Sequence, residues 1–490
     1  MATNNNLLTS LPPCGTVWER FFDVCAIPHG SGNVETISKW IIDFATKNGL
    51  EAKQDSAKNV LVTKAADSGC ENKPTILLQC HMDMVCESND ASFDFATRGI
   101  ECEIAELNGK KILTAKGTTL GADDGIGIAA GLALLTDKDL KSGKLELLCT
   151  VDEETTMAGA EGIDAGFFTA KYLVNIDSED EGVVTLGSAG GFDVSASTKV
   201  ALVETTDTAL ELSLSGCVGG HSGVEIHQPR ANAVVALFDV LKTLLMIPGV
   251  RLASFAGGKA TNAIPRSAKA VITAPTASHP AIREACDRAL AGLKANHPMD
   301  VDMALTMTLA DATVKTTSLD DSARIIGGTL AMPCGVIRMD GAIEGLVQTS
   351  CNVGNVSLTE EGDFKCEMFA RSSVNDSMDL VHNMVKATGL IYGLDVSEQE
   401  GRFSGWKPNP DTKIAHVTID AVKKVLGYEP KEEAIHAGLE CGLLMDKYHD
   451  LEAVSIGATI CQPHCPDEYM EIDTVAPFYE ILKVICTEME

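Results

Sequence analysis

Positive charge is what this chain most lacks. Its 39 lysines and arginines face 69 aspartates and glutamates, giving a net charge of −30 over 490 residues. Such an excess repels phosphate backbones and anionic lipid, so the reading is no nucleic acid and no membrane as partner. Long apolar runs are missing too, since none approaches the roughly 18 residues of a membrane span. Residues 1–15, MATNNNLLTSLPPCG, hold no basic stretch ahead of an apolar one. No secretory signal is read there, and a cytoplasmic location is expected. No Cys-x-x-Cys pair occurs among the 16 cysteines. They read as reduced, partly buried thiols. Cys461 and Cys465 bracket His464, but no second Cys/His pair stands nearby to complete a zinc finger.

What remains is the composition of a soluble globular protein, 45% hydrophobic and 22% charged. The length exceeds what one core usually serves, so two domains are expected. In the first third, helix and strand patterns alternate. Val34, Ile37, Trp40, Ile41 and Phe44 recur at helical spacing, and Asn48-Gly49 stops that helix. Residues 59–63 and the apolar run 75–84 read as strands, as do 145–151 and 172–176, while 125–135 reads as a helix of small and apolar residues. From about Gly187 the texture changes, and Gly187–Gly191 looks like a hinge or crossover. Two strand-then-helix units follow, 210–214 with 232–245 and 363–369 with 377–388, a weak sign of internal duplication. Ser404–Pro410 marks a turn-rich return, and the strand 453–456 then leads to His464. An insertion inside a layered α/β domain explains this order.

Acids gather just past the ends of the buried strands, the edge where open α/β sheets place their sites. His81-Met82-Asp83 puts an imidazole and a carboxylate on one strand face, suited to a metal ligand and its orienting partner. Asp123 and Asp124 stand between glycines directly before a helix. Acids there are ordinary caps, yet in a glycine-rich loop they are also placed to bridge cations. That loop lacks the Gly-x-x-x-x-Gly-Lys pattern, and its acids would repel phosphate. Asp152-Glu153-Glu154 ends another strand, where three acids are costly unless metal or water compensates them. Asp177 ends the next strand, and His464 lies far off in Gln-Pro-His-Cys-Pro. Two histidines, three carboxylates and a spare glutamate suit Zn²⁺, Mn²⁺ or Co²⁺, and a two-metal hydrolytic site needs about this inventory.

In that light the chain resembles the bacterial aminoacyl-histidine dipeptidases, within the superfamily of two-zinc aminoacylases, carboxypeptidases and dipeptidases that includes carnosinase. The resemblance runs over nearly the whole length. It is carried by Ile27-Pro28-His29, Gln79–Val85, Gly117–Gly127, Glu153-Glu154, Asp177-Ser178-Glu179, Gly219-Gly220-His221-Ser222-Gly223, Asn262–Arg266, His436–Gly442 and Pro463–Glu468. It implies an α/β zinc-peptidase catalytic domain, residues 1–186 and 400–490, with an inserted α+β lid domain, 187–399. It also implies two divalent ions, zinc first, with manganese or cobalt as the other candidates. His81 and Asp177 would hold one ion, Glu154 and His464 the other, and Asp123 would bridge them. Asp83 would orient His81, and Glu153 would act as general base. His221 would stabilise the oxyanion. Asn262 and Arg371 would grip the substrate, Arg371 at its carboxylate, and Gly438 would lie in a substrate-contacting loop. One departure is Asp124, where the bacterial enzymes carry Asn.

The expected activity is therefore metal-dependent hydrolysis of dipeptides or other very short peptides, Xaa-His favoured, by a chain that is a homodimer or works alone. The rival within hydrolases is an amidohydrolase on N-acyl amino acids, which uses the same metal site. Outside hydrolases stand an idle binding protein, which has no need of Glu153, and a metal-free acidic scaffold, which would leave buried carboxylates uncompensated.

Overall fold

The computed structural model describes residues 4–310, 314–341 and 343–490. The chain forms two compact units: Met1–Gly187 with Pro408–Ala434 and Leu439–Glu490, and Ser188–Lys407 with Ile435–Gly438. The inserted unit thus runs past the expected residue 399, and Gly438 belongs to it.

Strands that are apolar on both faces belong in a sheet covered on both sides. Among the described residues, the main sheet of the first unit has eight strands. In spatial order they are Glu51–Gln54, Val60–Lys64, Leu145–Thr150, Ile76–His81, Tyr172–Asn175, Glu452–Ser455, Val183–Ser188 and Lys431–Ile435. The four from Leu145–Thr150 to Glu452–Ser455 run parallel, and antiparallel pairs flank them. Parallel strands share one C-terminal edge, so the residues after His81, Thr150, Asn175 and Ser455 all emerge there. Ile76–His81 and Leu145–Thr150 are buried at every position.

The helix Ala122–Thr136 is apolar on all sides and accordingly lies buried. It packs on those two strands and against the helices Val17–Cys25 and Ile472–Glu488. Its first residues are irregular. Asp123 and Asp124 have non-helical dihedrals, so regular helix begins at Gly125, where the small-residue run predicts it. A hairpin of Cys102–Leu107 and Lys110–Ala115, unread in the sequence, pairs with Tyr469–Glu471, which pairs in turn with Ile460–Cys461. His464 sits in the loop between those last two strands. No helix among the described residues is long and apolar enough to cross a membrane, and all 16 cysteines are free thiols.

The second unit holds an antiparallel sheet of ten strands among the described residues. The helices Ala233–Leu244, Leu319–Ala331 and Asn375–Tyr392 pack on it around a core that includes Phe192, Phe238 and Phe364. The two strand-then-helix units read in the sequence are Thr208–Ser215 with Ala233–Leu244 and Asp363–Ser372 with Asn375–Tyr392. Their strands are not sheet neighbours. Val183–Ser188 and Gly190–Lys199 follow each other as strands through Gly187–Gly191, and the chain passes there from the first unit to the second, between Gly187 and Ser188, where the sequence places a hinge or crossover.

Gly457 lies just past Glu452–Ser455, and a Cβ there would overlap the Ser178 carbonyl oxygen. Two loops at the C-terminal edge approach each other too closely for any side chain. Gly457→Ala is expected to cost about 1–3 kcal/mol, as overpacking does. The readout is a lower midpoint of chemical denaturation with an unchanged slope; an unchanged midpoint would show that these loops part freely.

Candidate metal centre

The C-terminal edge of the parallel strands gathers His81, Asp123, Glu154, Asp177 and His464. His81 Nδ1 donates to the Asp83 backbone carbonyl at 2.9 Å, which leaves the lone pair on Nε2. That Nε2 lies 2.9 Å from Asp123 Oδ1 and 3.2 Å from Asp177 Oδ1. His464 Nε2 lies 3.2 Å from Asp123 Oδ2 and 2.9 Å from Glu154 Oε2. Asp123 thus turns one oxygen to each imidazole. Ligand-type atoms of His81, Asp123 and Glu154 lie within 4.8 Å of one another, as do those of His81, Asp124 and Asp177. Carboxylates that converge in this way repel unless positive charge stands between them. Glu154 Oε1 is also buried without a partner. Imidazole nitrogens and carboxylate oxygens, with no thiolate, fit divalent ions of the zinc, manganese or cobalt type.

Neighbouring groups hold these residues by their backbones. Asp83 is expected to orient His81 through its carboxylate, yet Asp83 Oδ1 is 3.6 Å from His81 Nδ1 and the carbonyl takes the hydrogen bond. The strand ends at His81, so the shared-face geometry does not extend to Asp83. The Asp83 carboxylate instead accepts the backbone N–H groups of Glu153 and Glu154 at 3.1 and 3.3 Å, and the Ser31 hydroxyl at 2.8 Å. Glu153 and Glu154 stand on a turn past the strand rather than on the strand itself. Asp124, joined to Asp123 by a cis peptide, accepts from the His81 N–H at 3.2 Å and the Gly127 N–H at 3.1 Å. It therefore caps the helix and ties it to the end of the strand.

Two further buried groups had no role assigned from the sequence. Glu468 accepts three consecutive backbone N–H groups, those of Leu120, Gly121 and Ala122, at 2.7, 3.0 and 2.8 Å. It follows His464 by one short loop, so it fastens the His464 loop to the loop bearing Asp123. Its position within Pro463–Glu468 was the available signal. Behind the ligands lies a polar tier. Gln79 donates to Glu440 at 2.6 Å and accepts from Asn175 at 2.7 Å. Thr150 donates to Glu440 at 2.6 Å, and Ser455 donates to Asn175. Gln79 and Asn175 precede His81 and Asp177, respectively, by two residues. Strand periodicity puts Gln79 on the face of His81, while Asp177 lies past the end of Tyr172–Asn175.

The field of this cluster is strongly negative. Burial pushes the Glu153 carboxyl up to about 8, with His81 opposing and Asp177, Asp123 and Glu154 adding. Burial likewise takes Asp177 up to about 8 and Glu440 to about 8, where Glu153 adds. Glu468 rises to about 7 by burial despite its three N–H donors. Hydrogen bonds to Asp123 and Glu154 carry the His464 imidazole up to about 11. Burial opposes protonation of His81, but Asp177 and Asp123 outweigh it and hold its pKa well above the usual value. Glu153, Asp177, Glu440 and Glu468 thus resist ionisation, Asp123 is held ionised by the two imidazoles, and each imidazole is pressed toward a cationic form.

The remaining expected residues lie in the second unit. His221 Nδ1 faces the N–H groups of Gly223 and Val224 at 3.3 and 3.2 Å, which assigns the ring proton to Nε2. Arg371 Nη2 stands 3.3 Å from that Nε2, so two donors meet with no acceptor between them. Burial, then Arg371, lowers the His221 pKa. Arg371 is 5% exposed, lies 4.6 Å over the Phe369 ring, and has a buried Nε without a partner. It makes no ion pair among the described residues, and burial brings its guanidinium down to about 10. Asn262 is exposed on a turn and lines a cavity of about 920 Å³ with His221. Gly438 ends the segment Ile435–Gly438, which also carries buried His436, 2.8 Å from the Ser350 hydroxyl.

A model of peptidase family M20/M25/M40 matches residues 77–488. The cytosol non-specific dipeptidase of Escherichia coli (strain K12) is 34% identical over 480 residues, 96% of this chain and 97% of that protein. Among solved structures, the aminoacylhistidine dipeptidase from Vibrio alginolyticus superposes with a TM-score of 0.91 at 35% identity, covering 100% of this chain and 99% of that one. The aminopeptidase PepT from Bacillus cereus gives a TM-score of 0.56 at 16% identity over 96% and 98% of the two chains, a likeness of fold.

Glu468→Gln would set an amide NH₂ against backbone N–H donors. It is expected to cost about 1–3 kcal/mol, the penalty of leaving buried donors unpaired. Denaturant midpoints measure this, and a variant as stable as the parent would remove Glu468 from the framework of the site.

Proposed function

Because the chain belongs to peptidase family M20/M25/M40, a family of dinuclear metal-dependent peptidases, it is a metallopeptidase, and we propose that it hydrolyses unblocked dipeptides, aminoacyl-histidine dipeptides among them. The substrate class is supported by the names of the Escherichia coli and Vibrio alginolyticus relatives. The word cytosol in the first of these supports a cytoplasmic location. The observation that carries the reading is Asp123, one oxygen directed at each imidazole within a cluster of buried carboxylates.

In this reading His81 and Asp177 would hold one ion and Glu154 and His464 the second, with Asp123 serving both and zinc as the leading candidate. Two such ions supply Lewis acidity that polarises a carbonyl and acidifies a water. Glu153 takes the proton of the attacking water on its carboxylate and passes it to the leaving amine. The Asp83 carboxylate supports that transfer by fixing the backbone of both glutamates. His221 offers its Nε2–H to the oxyanion, a charge present only in the transition state. Arg371, buried and without an ion pair, takes the substrate carboxylate. Asn262 and Gly438 contact the bound peptide.

Chelation is expected to abolish hydrolysis of alanyl-histidine, and zinc, manganese or cobalt to restore it. Glu153→Gln should keep about two ions per chain by elemental analysis and lose about 10²–10⁴-fold in kcat. Glu154→Gln should lose metal. Loss of metal in Glu153→Gln with retention in Glu154→Gln would exchange the two roles, and full activity in a metal-free preparation would end the reading.

The carboxylate grip has its own test. Dipeptides amidated at the C-terminus should be cleaved about 10²-fold or more slowly, because a buried Arg371 is then left without its counter-charge. Equal rates on the free and amidated forms would exclude it.

A further inference from the structure

His221 is held from behind by a closed ring of hydrogen bonds. Its backbone N–H donates to Glu225 Oε2 at 2.7 Å. The other oxygen of that carboxylate, Oε1, pairs with Arg230 Nη2 at 2.6 Å. Arg230 Nη1 then donates to the Gly219 carbonyl at 2.6 Å. One end of the ring grips the residue His221 and the other grips the chain just before it. The segment between them, Gly219-Gly220, has φ of +66° and +142°. Backbone of that kind is cheap only for glycine and is not self-supporting. A Cβ on Gly220 would overlap both Arg230 Nη1 and Glu225 Oε2, so the glycine is needed for the ring to close.

The same segment is pinned on its far side. Gly220 and His221 pair with Ile264 and Ala263 as a short antiparallel ladder, and the Ser222 N–H reaches the Asn262 carbonyl at 3.0 Å. Two partners on one side and an ion pair on the other leave the His221 Cα little freedom. The Arg230 side chain is 12% exposed and that of Glu225 30%. Partial burial and two charge-assisted bonds make this pair tighter than an ordinary surface ion pair. A pair that served stability alone would have no reason to spend its free oxygen on one particular backbone N–H. Glu225 also lines the cavity that His221 faces.

We infer that Glu225 and Arg230 are positioning residues for His221, holding its backbone so that the imidazole Nε2–H is aimed before substrate arrives. This rests on the role given to His221 above. Alignment of a donor within a fraction of an ångström decides how much of its hydrogen bond reaches the transition state. The pair acts through the backbone on either side of Gly220. Its loss is felt in turnover, since His221 acts on a charge absent from the ground state.

The test is a double-mutant cycle on the metal-loaded full chain, with alanyl-histidine as substrate. His221→Ala, Glu225→Gln and the double variant are compared for kcat, KM, bound metal and melting. Arg230→Gln serves as an independent opening of the ring. Glu225→Gln is expected to lower kcat about tenfold, part of the 10²-fold or more carried by one oxyanion donor, with little change in KM. Added to His221→Ala, it should cost less than about twofold more, because residues that act through one another are not additive. Arg230→Gln should show the same split. Additive losses in the double variant would overturn the inference, as would normal kcat in Glu225→Gln or Arg230→Gln beside an impaired His221→Ala. Normal kcat in His221→Ala would instead remove the role of His221, and this inference with it. Should Glu225→Gln fail to fold, Arg230→Gln decides the question by the same criteria.

Discussion

Asp123 gives one carboxylate oxygen to each of two imidazoles, and much of the first unit is arranged around holding that group where it is. A buried carboxylate is costly in itself, and Glu153, Glu154 and Asp177 crowd the same space. Burial and mutual repulsion lift Glu153 and Asp177 to about 8, while the two imidazoles keep Asp123 well below the ordinary carboxylate range against its own burial. A site built this way cannot rely on its side chains to hold one another. It relies on backbone. Glu468 fixes the loop ahead of Asp123, Asp124 fixes the end of the strand at His81, and Asp83 fixes the turn that carries Glu153 and Glu154.

The polar tier of Gln79, Thr150, Asn175, Ser455 and Glu440 extends the same logic one layer into the sheet. All five are at most 1% exposed, and their hydrogen bonds join neighbouring strands to one another and to the helix Glu440–Lys447. Since side chains alternate along a strand, Gln79 shares the face of His81. A slip of one residue in register would turn both His81 and this tier to the wrong side. The tier therefore makes such a slip doubly costly, because it would strand buried polar groups as well as His81.

The ligand edge was legible because acids at the ends of apolar strands break the pattern around them, and periodicity alone places Gly125–Leu135, Leu145–Val151 and Tyr172–Ile176 close to their observed bounds. Asp83 was misread in detail, since a strand face was extended past a strand that stops at His81. The hairpin Cys102–Leu107 with Lys110–Ala115 was missed because its first strand is largely exposed and too polar to alternate cleanly. Glu468 and Glu440 were hidden for a different reason: an acid among many acids carries no signal until its burial is known. The Asp124 departure finds a physical reading. Burial, with Asp177 adding, raises its pKa well above the usual value, and its side chain accepts two backbone N–H groups, which the oxygen of an Asn side chain can also do.

The strand Glu452–Ser455 does not extend the sheet at its margin; it lies between Tyr172–Asn175 and Val183–Ser188. During synthesis those two neighbours leave the ribosome hundreds of residues before the strand that separates them. The inserted unit is almost contiguous in the chain and can close its core while the sheet of the first unit still has a gap in its middle. Parallel pairing across so long a loop is slow to form, and an unfilled gap between apolar strands invites wrong partners. The last strand to emerge is thus the one that seals the sheet, and the hairpin loop bearing His464 follows directly behind it.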